Sequence, residues 1–109
     1  MQKPNITFEQ FLTLDVRICE ILKAERVPKK DKLLQLTINT GFDERIAITN
    51  IGAHYEPEVL IGMKMPFILN LVPTKIAGIE STAMILAING DDDKPLLFLS
   101  NANTGNVII

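Results

Sequence analysis

The 109-residue chain reads as all-β: a five-stranded barrel with a short N-terminal helix and a second short helix between strands 3 and 4. Three observations predict this. Leu34, Leu36 and Ile38 alternate with Gln35, Thr37 and Asn39, and Ile46 and Ile48 alternate with Arg45, Ala47 and Thr49, the period of half-buried strands. Turn formers recur at short intervals, as in Thr40-Gly41-Phe42-Asp43 and Asn89-Gly90-Asp91. Helical signals are confined to two brief stretches.

In chain order, Thr7-Phe8-Glu9-Gln10 has the form of a capping box, and Phe8, Phe11 and Leu12 follow at helical spacing, so a helix is expected over about Phe8 to Thr13. Val16 to Val27 is β-branched and too irregular for one flat strand, which predicts a bend or bulge near Cys19 or Lys23. Pro28 to Lys32 is a polar loop leading into strand 2. Strand 3 follows the turn at Gly41. Pro57 at a first helical position and Gly62 at a stop predict a helix of one or two turns within His54 to Gly62. Lys64 to Leu69 reads as strand 4, Ser81 to Ile88 as strand 5, and Pro95 to Leu99 as a further strand. The expected interior is Leu34, Leu36, Ile38, Ile46, Ile48, Phe67, Leu69, Leu86 and one of Met84 or Ile85. Phe8, Phe11 and Phe98 also read as core.

Five strands with a helix between the third and fourth is the order of an OB-fold barrel, which binds nucleic acids on its strand 2–3 face and on the loops joining strands 1–2 and 4–5. All three places carry suitable chemistry. The 1–2 loop holds Lys29, Lys30 and Lys32, the 4–5 loop over Leu71 to Glu80 holds Lys75, and Gln35, Thr37, Asn39, Arg45 and Thr49 are expected to point outward from strands 2 and 3.

Composition narrows the function classes. The length fits one domain, residues 1–109, and 47% of residues are hydrophobic. No apolar run approaches a membrane span, no signal peptide is visible, and Met1-Gln2-Lys3-Pro4 reads as a native start. The lone Cys19 forms no internal disulfide, so a cytoplasmic location is expected. A net charge of −2 argues against a bulk polycation binder. Its distribution is uneven: Lys23, Arg26, Lys29, Lys30 and Lys32 face only Glu25 and Asp31 across one ten-residue stretch. His54 and Ser81 lack a nucleophile elbow or third partner, and Asp91-Asp92-Asp93 lacks calcium-loop spacing. No enzyme activity, cofactor or metal is therefore expected. There is no tryptophan and no outward aromatic on strands 2 and 3, which favours a folded RNA over a single strand stacked on aromatic platforms.

The stretch Asn70–Met84, NLVPTKIAGIESTAM, is the most specific in the chain. Asn70, Leu71, Pro73, Lys75, Gly78, Ser81 and Met84 fit the pattern N-L-x-P-x-K-x-x-G-x-x-S-x-G-M. It resembles the tRNA-binding domain found at the C-terminus of many methionyl-tRNA synthetases, in free-standing β subunits of that enzyme and in CsaA-like proteins. Phe8 to Arg17, Asp31-Lys32-Leu33 and Tyr55 to Gly62 resemble further segments of the family. Ala77 stands where a basic residue is frequent, Ala83 and Cys19 where glycine is, and Lys30 where alanine is.

The resemblance implies an OB-fold homodimer that binds tRNA in trans or as a subunit associated with a methionyl-tRNA synthetase. It implies tRNA contacts at Asn70, Lys75, Ser81 and Met84, with Lys32 from the other loop; Lys29 and Lys30 join them on charge. The alternative it leaves open is a CsaA-type export chaperone that binds unfolded peptides in a groove at a dimer seam. Phe8, Phe11 and the tail Val107-Ile108-Ile109 add apolar surface that a second copy would cover.

Overall fold

The computed structural model describes residues 2–109, so Met1 of the expected domain lies outside the described residues. Helix α1 spans Phe8–Leu12, with the capping box complete: Thr7 Oγ1 accepts from Gln10 N at 3.1 Å, and Gln10 Oε1 accepts from Thr7 N at 2.8 Å. The strands that follow are β1 (Val16–Val27), β2 (Lys30–Asn39), β3 (Glu44–Thr49) and β4 (Lys64–Ile68). Between β3 and β4 lie a 3-10 turn, Ile51–Ala53, and helix α2, Pro57–Leu60, with Pro57 at its first turn as expected. After β4 come β5 (Thr74–Ile76), β6 (Ile79–Ser81), β7 (Met84–Ile85), β8 (Ala87–Asn89) and β9 (Pro95–Leu97).

A five-stranded antiparallel sheet in the order β3-β2-β1-β4-β7 forms the body of the molecule, with β5–β6 and β8–β9 as separate hairpins. β1 is long enough to serve two partners. Val16 to Glu20 pair with β4 and Glu20 to Val27 with β2, and the register slips between Ile21 and Lys23, which bends the strand where its period fails. The sheet is open: no ladder joins β3 to β7. Hydrogen bonds cross that gap without forming a ladder, among them Thr82 N to Ile46 O at 2.9 Å and Ile48 N to Ser81 Oγ at 3.1 Å.

The core joins Leu34, Leu36 and Ile38 of β2 to Ile21, Met65, Phe67, Leu69 and Ile85, all buried, with Cys19, Ala47, Ile51, Leu60 and Ala83. Strand 3 departs from expectation. Leu36 lies opposite Ala47, Leu34 opposite Thr49 and Ile38 opposite Arg45. Directly opposed residues share a face, so Ala47, Thr49 and Arg45 share the face of Leu34, Leu36 and Ile38 while Ile46 and Ile48 take the other, where Ile48 is still buried, as expected, and Ile46 half-buried. The hydrophobic alternation is real, but its parity is reversed because the chain around Ser81 covers the outer side. Arg45 is consequently withdrawn from the outer face, its Nη1 donating to Leu69 O at 2.6 Å.

Three further expectations are corrected. Phe8 and Phe11 are exposed (69% and 38%), α1 buries no residue, and the two rings stack on each other with centroids 6.4 Å apart. Phe98 is exposed as well. Strand 5 does not run unbroken from Ser81 to Ile88: Thr82 leaves to bond β3, which splits it into the end of β6, β7 and β8. Its core residue is Ile85, while Met84 is exposed and Leu86 half-buried.

Candidate nucleic-acid interface

Two lysine-bearing hairpins and a cleft between them build the site. The first joins β1 to β2 through Pro28-Lys29, with Val27 opposite Lys30. Proline presets its own φ and Lys29 adopts φ 64°, which reduces the expected five-residue loop to a two-residue turn with Lys29 at its tip. The next ladder pair is Arg26 with Leu34, so Asp31, Lys32 and Leu33 bulge out of β2 without partners on β1.

Arg26 fixes this bulge. Its Nη1 donates to Asp31 O at 2.8 Å and to Gly52 O at 2.9 Å, and its Nη2 to Glu56 Oε2 at 3.1 Å. The 3-10 turn can approach so closely because residue 52 is glycine; a Cβ there would lie 2.9 Å from Lys32 O. Lys29, Lys30 and Lys32 are all exposed on a backbone held in this way.

The second hairpin, β5–β6, lies within the signature string, where only a loop was expected. Ala77 and Gly78 both take positive φ, 52° and 79°, the geometry of a tight two-residue hairpin turn. Lys75 stands opposite Glu80 and is exposed. Leu33, beside Lys32, and Ile76, beside Lys75, line one cleft of about 610 Å³. Met84 lines it too, with 45% of its surface exposed. Of the expected set, Met84 lines the cleft, while the four exposed lysines lie on the two hairpins whose Leu33 and Ile76 contribute to its wall.

The other two expected contacts are placed elsewhere. Ser81 is buried at the gap between β3 and β7; its Oγ accepts from Ile48 N and donates to Ala83 O, both at 3.1 Å. Asn70 Oδ1 accepts from Asp15 N at 2.9 Å and its Nδ2 donates to Thr13 O at 2.6 Å, which clamps the end of α1 to the chain after β4. Ser81 is occupied within the fold, while Asn70 is exposed and keeps one amide hydrogen beyond the bond to Thr13 O. Ser81→Ala should leave Ile48 N unpaired in a buried place and cost about 1–3 kcal/mol of stability, read as a lowered urea midpoint.

Sequence reasoning missed Arg26 as the organiser of the basic hairpin and missed Asn50, His54 and Asn89, which line the cleft. Nothing in local spacing relates residues 50–54 to 84–95; the fold alone brings them together. Burial pushes the Cys19 thiol up to about 11, against the opposing pull of Arg45 and Arg17, so it stays protonated at neutral pH and is a poor nucleophile. Among the described residues no cluster of histidine, cysteine, aspartate and glutamate is arranged to hold a metal ion, and no helix is long and apolar enough to cross a membrane.

Residues 16–106 match the family model described as "Putative tRNA binding domain". The chain belongs to this tRNA-binding domain family. The domain is 42% identical to a methionine–tRNA ligase of Cytophaga hutchinsonii, over 97% of its own length and 16% of the ligase. It therefore spans about a sixth of that relative. Among solved structures, it is similar to a MetRS-related protein from Pyrococcus horikoshii (TM-score 0.93, 28% identity, covering 98% of this chain and 100% of that one). It is also similar to the chaperone CsaA of Bacillus anthracis (TM-score 0.86, 29% identity, covering 97% and 100%).

Proposed function

We propose that the domain binds structured tRNA through its backbone and shape, as a cytoplasmic, non-catalytic module acting in trans or in association with a methionyl-tRNA synthetase. The observation that carries this reading is the match to a tRNA-binding family in a chain that exposes Lys29, Lys30, Lys32 and Lys75 on two hairpins distant in sequence, each of which contributes a residue to the wall of one cleft. Exposed lysines on short hairpins supply mobile point charges for phosphates, while Met84 offers an apolar contact to ribose or base. We read the curled sheet, whose edges approach at Thr82 and Ile46, as a barrel of the OB type.

A homodimer belongs to the same reading. α1 and the tail leave Phe8, Leu12, Val107, Ile108 and Ile109 in solvent, an apolar surface that a two-fold partner would cover. Two copies would also offer two basic sites to one RNA. Light scattering at micromolar concentration should give about twice 12.1 kDa; a mass at the monomer value counts against the dimer.

The similarity to the CsaA chaperone supports a second reading, in which unfolded peptide is the ligand. Fluorescence anisotropy with labelled tRNA and with a labelled unfolded polypeptide separates the two. Saturable binding of tRNA at concentrations where the polypeptide stays free is the expected result, and the reverse order overturns the tRNA reading.

A further inference from the structure

The β8–β9 hairpin is a self-contained unit. Ala87 pairs with Leu97, Ile88 with Leu96 and Asn89 with Pro95, and its turn closes through Gly90 N to Lys94 O at 2.9 Å and Asp93 N to Gly90 O at 3.0 Å. The chain is anchored to β4 on either side of it, by Leu86 N to Pro66 O at 3.1 Å and Ser100 N to Lys64 O at 3.0 Å. Between those roots, among the described residues, one hydrogen bond ties residues 87–97 to the rest of the molecule: Tyr55 Oη donates to Pro95 O at 2.7 Å. Pro95 follows directly on the turn, so the bond grips the hairpin at its free end, away from its roots.

That hairpin is a wall of the cleft, to which it contributes Ala87, Ile88, Asn89, Asp93 and Pro95. The grip on it is firm because Tyr55 is itself held. Its half-buried side chain packs against the core, and its N–H donates to Ile51 O at 3.2 Å. Its neighbours Gly52 and Glu56 accept from Arg26, which fixes the bulge bearing Lys32 and Leu33. Residues 51–56 therefore brace the cleft twice, at Leu33 through Arg26 and at Pro95 through Tyr55.

We propose that Tyr55 is a positioning residue for RNA: its hydroxyl latches the β8–β9 hairpin as a fixed wall of the cleft that Met84 also lines. The inference rests on the tRNA reading and adds to it a residue that acts through the hairpin it holds. A hairpin free to swing on its two roots would have to be ordered when RNA binds, which lowers affinity, whereas a latched one is in place beforehand. No phosphate contact changes, so the salt dependence stays the same.

Tyr55→Phe in the intact domain deletes the latch and keeps the ring. Methyl relaxation dispersion should then show exchange at Ile88 and Leu96 of the hairpin, with Leu36 and Ile38 of the sheet quiet as a reference. tRNA affinity, read by anisotropy on protein shown to be folded by its urea midpoint, should fall on the order of three- to tenfold with an unchanged log–log salt slope. A tyrosine that served stability alone would lower the midpoint and leave the affinity of the folded domain where it was, which overturns the inference. Quiet hairpin methyls in Tyr55→Phe, or an affinity loss with a shallower slope, overturn it as well, and all three leave the tRNA reading standing. An unmodified domain that binds no tRNA overturns that reading and the inference together.

Discussion

Raising the salt from 50 to 200 mM is expected to weaken tRNA binding by roughly 50–100-fold. About four neutralised phosphates, one for each of Lys29, Lys30, Lys32 and Lys75, give a log–log slope near −3 through counterion release. The four lysines are exposed, so their charges are available in the free domain at little desolvation cost. Lys75→Ala should weaken all tRNAs alike and make that slope shallower by about one unit, because it removes one phosphate contact and no base contact. The substitution sits on an exposed strand of a small hairpin, so the fold should survive it. Ala77→Arg, two residues away at the turn, should tighten binding and steepen the slope by adding a cation to the same hairpin. A domain that binds tRNA with neither affinity nor slope altered by Lys75→Ala would place the RNA on another face.

Gly41→Ala should be among the most destabilising single-methyl additions in the chain, costing about 2–4 kcal/mol against a typical total of 5–15. Gly41 takes φ +98°, a conformation that side chains disfavour, and its added Cβ would fall 2.6 Å from Gly105 Cα. Both neighbours are backbone, so no rotamer change relieves the clash. Gly62→Ala provides the comparison, since Gly62 has a similar φ of +88° with open space around it. The difference in urea midpoint between the two variants measures the clash separately from the backbone strain. Equal midpoints would mean that the turn before β3 and the chain near Gly105 are not in contact in solution.

The parts of this fold that were legible in the sequence are those governed by local rules. The capping box at Thr7, Pro57 at the first turn of α2, the alternation of Leu34, Leu36 and Ile38, and the slip in β1 near Lys23 each follow from residues a few positions apart. Strand 3 was legible as a strand but not in its parity. Ile46-Ala47-Ile48 fits either orientation, and the choice is made by pairing with β2 and by cover from the chain at Ser81, about 35 residues away. The β5–β6 hairpin escaped notice because Ala77 occupies a position where asparagine or aspartate would have announced the turn.

The candidate site divides in the same way. Exposed lysines in turns are readable as charge, whatever the fold does with them. A serine or asparagine in a signature string is ambiguous, because the same hydrogen-bonding capacity can serve a ligand or a backbone. Ser81 and Asn70 serve the backbone. The cleft was not readable at all, since its lining comes from segments that meet only after the sheet curls.

The C-terminal stretch has a second consequence besides its exposed side chains. Gly105 N donates to Ile18 O, Asn106 O accepts from Ile18 N, and Ile108 N donates to Val16 O, at 2.8 to 2.9 Å. Those are the groups that the start of β1 would otherwise present as a bare edge, since β2 pairs only with its far half. An unpaired strand edge is a template on which another chain can grow. The tail therefore works as a selvedge, the woven border that keeps a cloth from fraying. Peeled away by a protease or by mechanical load, it would leave that edge open to strand-by-strand assembly, with no change to any residue of the core.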